Sequence, residues 1–216
     1  MNNISAIIFD MDGVISDTEH LHKKANDEVL KELGIIIDKK DRDRYVGIPT
    51  KHYFRRILKK HKNLDINDIM KINNEKLKQL IVKEMKPISG AIELINNIKD
   101  AGYKTAVASS TELELIEFIL ERIGVRDRFD NIVSGSDLDN PKPAPDVFLI
   151  TAKELDVMPE ECLVIEDSAN GVRAAKSAGM RCIGFTSANS GNQDLSKADI
   201  VVDDLKKINI NLIKRL

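Results

Sequence analysis

The sequence predicts an α/β protein built on a parallel sheet, with a helical segment inserted after the first strand. Three observations carry that reading. Short apolar, β-branched runs recur along the chain and alternate with segments of helical spacing, the pattern of βαβ units whose sheet is covered on both faces. The clear central runs each end in polar or charged residues. One stretch, from about Glu19 to Met85, breaks the alternation and holds only helical patterns and turns.

Taken in order, Ile4 to Phe9 is the first strand, ended by acidic residues and Gly13. In the helical stretch, Leu30, Leu33 and Gly34 close one helix and the Gly47-Ile48-Pro49 turn separates others. Tyr53, Phe54, Ile57 and Leu58 form one helical apolar face, and Leu77, Leu80 and Ile81 another. Placed between the first two strands, this stretch reads as a small helical domain over residues 18–86, on a core formed by residues 1–17 and 87–216. Ile92, Leu94, Ile95 and Ile98 then line a helix, and the Ala101-Gly102 turn leads to a strand over Thr105 to Ala108. Leu113, Ile116, Ile119, Leu120 and Ile123 predict a helix ending at Gly124, with Thr111 as its cap and Glu114 completing a capping box. Asn131 to Val133 is a weaker strand and Leu163 to Ile165 a clear one. Val172, Ala175 and Ala178 line a helix ending at Gly179, and strands at Cys182 to Phe185 and Ile200 to Val202 close the series.

Composition excludes several classes. The 216 residues suffice for one domain with an insertion, and 42% hydrophobic with 31% charged residues is ordinary for a globular chain. A net charge of −2 offers no bulk attraction to nucleic acid or to an anionic membrane, and aromatics at 4% with no Trp offer no base-stacking surface. No apolar run approaches the roughly 20 residues that span a bilayer, and the N-terminus has no basic segment before an apolar one, so the expected location is cytoplasmic. Cys162 and Cys182 lack CxxC spacing and each opens an apolar run, which reads as two buried structural thiols.

Ligands of open α/β sheets bind outside the carboxyl ends of the strands. The first strand is followed by Asp10-Met11-Asp12-Gly13, the second by Ser109 and Ser110, the third by the turn-rich Asn140-Pro141-Lys142-Pro143-Ala144-Pro145, and the fourth by Glu166-Asp167-Ser168. Several carboxylates gathered at one edge repel unless a cation neutralises them, and oxygen donors suit Mg²⁺. Ser109 and Lys142 are phosphate partners by chemistry. A carboxylate nucleophile can form an acyl phosphate, and a second carboxylate two residues on can act as acid and base.

These segments together resemble the haloacid dehalogenase superfamily, in its branch of β-phosphoglucomutase and related phosphatases. The resemblance rests on F-D-M-D-G-V-I-S-D-T, V-A-S-S, K-P-A-P-D-V-F and V-I-E-D-S-A-N-G-V-R-A-A-K-S-A-G-M, in that order, from Ile4 to about Val202. It implies a Rossmann-like core with a mobile helical cap and a small phosphorylated metabolite as substrate. It implies Asp10 as nucleophile and metal ligand, and Asp12 as general acid/base whose carbonyl also binds Mg²⁺. It implies that Ser109 and the Ser110 N–H hold the phosphate, that Lys142 neutralises charge on it, that Asp167 is a metal ligand, and that Glu166 binds the metal or holds its water. Gly13 lets the backbone approach the phosphate. Thr18 and His22 match cap-side positions of the mutases. A monomer is the default.

Other residues read as structural. His20, His52 and His61 are surface residues, and Arg55, Arg56, Lys59, Lys60 and Lys62 are a solvated helix face. Asp167, Ser168 or Asn170 is placed to cap the helix that follows the fourth strand. The resemblance also poses a choice of reaction. A mutase holds two phosphates in turn and has a cap arginine for the second; this chain has Thr50 there, with Lys51, Arg55 and Arg56 as the nearby cations and Lys71 or Ile72 near a further mutase lysine. A threonine makes no bidentate charged contact. The expectation is therefore a phosphatase acting on a small phosphomonoester, with β-phosphoglucomutase as the alternative and an inactive binding protein as a third reading.

Overall fold

The computed structural model describes residues 4–37, 49–60, 64–187 and 191–216. Six strands, β1 (Ala6–Phe9), β2 (Lys104–Ser109), β3 (Asn131–Ser134), β4 (Cys162–Glu166), β5 (Arg181–Phe185) and β6 (Ile200–Val202), form one sheet in the order β3-β2-β1-β4-β5-β6. Every pairing is parallel. This is the Rossmann-like order, in which the direction of strand addition reverses between β1 and β4. The α/β class and all six strands lie where the apolar runs placed them.

The central strands of the sheet are buried on both faces because their runs are largely apolar, as parallel sheets require, whereas the outer strands β3 and β6 are only partly buried. All of Ala6–Phe9 is buried. Side chains alternate between faces. Ile7, Phe9, Val107, Leu163 and Ile165 face a core completed by α4 (Ala91–Asp100) and α5 (Leu113–Arg122). Ala6, Ile8, Ala106, Ala108, Cys162 and Val164 face a second one against α6 (Asp146–Glu154) and α7 (Ala169–Ser177). A short α8 (Ile210–Ile213) ends the chain. On α5 the buried residues are Leu115, Ile116, Ile119 and Leu120, whereas Leu113 is 48% exposed. The helix begins at Leu113, so that residue lies ahead of the stripe and Leu115 takes the inward position.

Between β1 and α4 the described residues contain helices and no strand: α1 (Glu19–Glu32), α2 (Thr50–Ile57), a 3₁₀ turn at Leu58–Lys60 and α3 (Ile66–Glu84). Val29, Leu30, Tyr53, Phe54, Leu58, Ile69 and Met70 form a separate apolar cluster there. At the base of the stretch, Leu21, Ala25, Leu77, Leu80 and Ile81 join the core of one sheet face instead. The chain enters and leaves side by side. Asp17 N–H donates to the Lys86 carbonyl (3.0 Å) and Ile88 N–H to that of Ile15 (2.9 Å), with an antiparallel bridge between Ser16 and Pro87. Gly47, Ile48, His61 and Lys62 lie outside the described residues. Arg55, Arg56, Lys59 and His20 are exposed and His52 is half-buried. Among the described residues no helix is long and apolar enough to cross a membrane.

Candidate active site

The strand order decides what meets at the carboxyl edge. Phe9 is in register with Ile165 of β4 and Val107 of β2, so the residues after β1 stand between those after its two neighbours. Asp10 N–H extends the ladder to the Ile165 carbonyl (3.0 Å). The following turn is closed by Gly13 N–H to the Ser16 carbonyl (2.8 Å) and Ser16 N–H to the Met11 carbonyl (3.0 Å). Gly13 has φ 86°, a conformation that costs a side-chain-bearing residue energy and leaves glycine unstrained. Met11, Val14 and Ile15 are buried, which anchors the turn while Asp10 and Asp12 reach the same cavity.

Lys142 enters from the segment between β3 and α6. It is buried, and its ammonium donates to Asp10 Oδ1 (2.6 Å), Glu166 Oε1 (2.9 Å) and the Ala108 carbonyl (3.2 Å). Those three bonds use all three N–H donors. The charge also lies over the Phe148 ring, 4.8 Å from its centroid. Glu166 is held from its other side. Its Oε2 accepts from the Ser168 N–H (2.6 Å) and hydroxyl (3.0 Å), and Ser168 in turn caps α7 by accepting from Gly171 N–H (3.0 Å). Of the three cap residues the sequence allowed, the structure uses Ser168.

Asp12 sits in a different environment. Its Oδ1 accepts from the Thr18 hydroxyl and lies 3.2 Å from His22 Nε2; its Oδ2 accepts from Thr111 Oγ1 (2.7 Å) and, more weakly, Ser109 Oγ (3.4 Å). Thr111 N–H donates to Ser109 Oγ (3.1 Å). Thr111 therefore does not cap α5. The helix has Glu112 at its N-cap with no side-chain cap bond, which leaves Thr111 in the bend before it with its hydroxyl on Asp12.

The two aspartates consequently differ in electrostatics. Burial pushes the Asp10 carboxyl up to about 8, reinforced by Glu166 and Asp12, because Lys142 is shared with Glu166 and offsets only part of the cost. Burial works against the Asp12 charge as well, but His22 and the Thr18 and Thr111 hydroxyls outweigh it and hold the group well below the usual carboxylate range. For His22, burial alone would lower its pKa; the Asp12 and Glu19 charges raise it. Burial raises the Cys162 thiol to about 12 and the Cys182 thiol well above its usual range, and both cysteines are free and buried as expected.

Asp10, Asp12, His22, Ser109, Ser110, Lys142, Glu166 and Asp167 all line one cavity, and Thr18 bonds to it from behind. Thr50 lines it too, whereas Lys51 instead pairs with Asp137 (2.6 Å). Sequence reasoning missed Thr111 and the outer lining of Lys23, Asn26, Tyr53 and Gln193. The i, i+4 spacing of His22 and Asn26 was a signal for the latter; nothing local marks Gln193, which arrives from after β5.

A parallel sheet in this order, with four acidic residues, a buried lysine and a serine at one edge, defines a phosphoryl-handling α/β enzyme. The chain matches the haloacid dehalogenase-like hydrolases over residues 7–185 and belongs to that family. It is 32% identical to the phosphorylated carbohydrates phosphatase of Thermotoga maritima, over 99% of this chain and 100% of that one. It is also 32% identical to the β-phosphoglucomutase of Bacillus subtilis, over 97% of this chain and 94% of the relative. The crystal structure of CbbY from Rhodobacter sphaeroides in complex with phosphate superposes with a TM-score of 0.88 at 32% identity, covering 99% of this chain and 100% of that one.

Proposed function

We propose that this chain is a Mg²⁺-dependent phosphatase that hydrolyses a small sugar phosphate through an aspartyl (acyl) phosphate on Asp10. The observation that carries the reading is the division between two aspartates two residues apart. Asp10 is buried against an ammonium, and Asp12 is held by hydroxyls and a histidine. The named phosphatase relative supports the substrate class.

The donor set fits a hard divalent cation. Asp10, Asp167 and Glu166 bring three carboxylates to one cavity, and the Lys142 ammonium is shared between two of them. Asp10, Asp167 and the Asp12 carbonyl would hold Mg²⁺, and Glu166 would bind it or its water. The ion would supply charge neutralisation that keeps Asp10 ionised and draws in the phosphate.

Asp10 then attacks phosphorus; the phosphorus–oxygen bond to the sugar breaks and the electron pair leaves on the sugar oxygen. Charge spreads over the equatorial oxygens, where Ser109, the Ser110 N–H and Lys142 stabilise it. Asp12 gives its proton to the leaving oxygen. An incoming anionic phosphate raises the Asp12 pKa and so favours the protonated form at that moment. In the second half Asp12 takes a proton from water, which attacks phosphorus and releases Asp10. Residues 18–86 act as the cap that closes over the substrate and excludes water, hinged at the paired crossings of Asp17 with Lys86 and Ile15 with Ile88.

The mutase alternative is favoured by the Thr18 and His22 contacts to Asp12 and by the mutase relative. Against it, Lys51, Arg55 and Arg56 do not line the cavity, and Thr50 does. The test incubates the protein with Mg²⁺ and a sugar-phosphate panel including β-glucose 1-phosphate primed with glucose 1,6-bisphosphate. Free phosphate and glucose 6-phosphate are both followed, with Asp10→Ala as control. Phosphate release lost in the control is the expected result. Glucose 6-phosphate formation with little free phosphate replaces the reading with the mutase, and full activity in Asp10→Ala rejects the mechanism.

A further inference from the structure

Asn73 is the anomaly of the helical stretch. It lies on the buried face of α3 with Ile69, Met70, Leu77, Leu80 and Ile81, and it is 1% exposed. A leucine would suit that stripe. Burying an amide there is costly unless it is hydrogen-bonded. Asn73 Nδ2 donates to Asn26 Oδ1 on α1 (2.8 Å), and Asn26 lines the cavity that holds Asp10 and Asp12.

The two ends of an amide differ: the oxygen accepts and the nitrogen donates. With its oxygen taken by Asn73, Asn26 has its N–H donors to offer an acceptor in the cavity, since among the described residues they make no other hydrogen bond. Its position says which part of a ligand it meets. His22 Nε2 is 3.2 Å from Asp12, and Asn26 is one helical turn further along the same face, about 6 Å on. On the phosphatase reading, that places Asn26 outward of the reacting phosphate, on the side of the organic group that leaves.

We propose that Asn26 is a specificity residue that donates a hydrogen bond to a hydroxyl or carbonyl oxygen on the organic part of the substrate, and that Asn73 is the positioning residue that orients it. This rests on the phosphatase reading above and assigns the next contact outward from it. The arrangement selects a substrate whose organic part carries an oxygen remote from the reacting phosphate, as a sugar or polyol phosphate does. A short phosphoryl donor without such an oxygen does not reach Asn26.

The experiment compares wild type, Asn26→Ala, Asn73→Leu and the double variant on the best sugar phosphate of the panel and on acetyl phosphate, all with Mg²⁺. Each single variant is expected to lower kcat/KM about tenfold on the sugar phosphate while leaving acetyl phosphate within about twofold. The double variant is expected to be no worse than Asn26→Ala, since both act through one contact. Equal losses on both donors overturn the proposal and assign the pair to holding the helices together. Unchanged discrimination between the donors, or additive losses, also overturns it. Asn26→Ala leaves the buried stripe of α3 intact and keeps the test readable should Asn73→Leu fold poorly. Wild type inactive on both donors overturns the phosphatase reading and this inference together; active wild type with unaffected variants overturns this inference alone.

Discussion

Replacing Gly171 by alanine sets two physical expectations against each other. Gly171 lies inside α7 with ordinary helical geometry, so helix propensity alone predicts a stabilisation of about 1 kcal/mol. The structure predicts the opposite. A Cβ at Gly171 would stand 1.6 Å from Glu166 Oε1 and 1.9 Å from its Cδ. An exposed glutamate would swing aside at little cost. Glu166 is 1% exposed and holds bonds to Lys142 and to the Ser168 N–H and hydroxyl. Moving it strands the buried ammonium with one carboxylate, and breaking a buried pair costs about 3–5 kcal/mol. Net of the helix gain, Gly171→Ala should lose about 2–4 kcal/mol, read as a lower urea midpoint and a Tm lower by about 4–16 °C. Phosphate release should fall at least about tenfold, because Lys142 loses an anchor. The control is the same substitution in Glu166→Ala, where the clashing atoms are gone; there it should be neutral or stabilising by about 1 kcal/mol. A Gly171→Ala protein as stable and active as wild type refutes the argument.

Three further outcomes are expected. Thr111→Val removes the 2.7 Å bond to Asp12 without changing shape, and a hydrogen bond to a charged group is worth about 1.5–3 kcal/mol, so kcat should fall about tenfold or more with KM little changed; an unaltered kcat assigns Thr111 no part. Asp199 accepts from Lys176 (2.7 Å) and the Cys182 N–H (2.7 Å); burial opposes its charge but those bonds hold its pKa below the ordinary value. A depressed folded pKa gives stability that is present above the unfolded value, about 3.9, and is lost as pH falls through the folded one. Asp199→Asn should therefore destabilise at pH 7, with the difference from wild type closing on acidification below about pH 4; a difference that grows in acid contradicts the assignment. Finally, Cys162 and Cys182 are fully buried with raised thiol pKa values, so a thiol reagent at neutral pH should label neither in the folded protein and both in urea. Fast labelling without denaturant would show that β4 and β5 open.

The sequence by itself determined the class and the strand positions. Parallel strands buried on two sides read as near-continuous apolar runs, and Ala6–Phe9 and the Cys162 to Ile165 part of β4 show it without any partner. It also determined the acidic, hydroxyl and lysine residues that follow each strand, since their chemistry is written in their types. Tertiary structure alone decided which atoms meet. The pairing of β1 with both β2 and β4 places Lys142, 132 residues away, on Asp10. Local pattern gave Thr111 to the α5 cap, because a capping box reads only three residues ahead; the hydroxyl instead met Asp12, 99 residues earlier. Asn73 and Asn26 could not be paired from sequence, since a polar residue on an apolar helix face names no partner until the facing helix is in place. Hydrophobic patterning is local and periodic and so survives in the sequence. Hydrogen-bond partners across helices and strands are fixed only by packing.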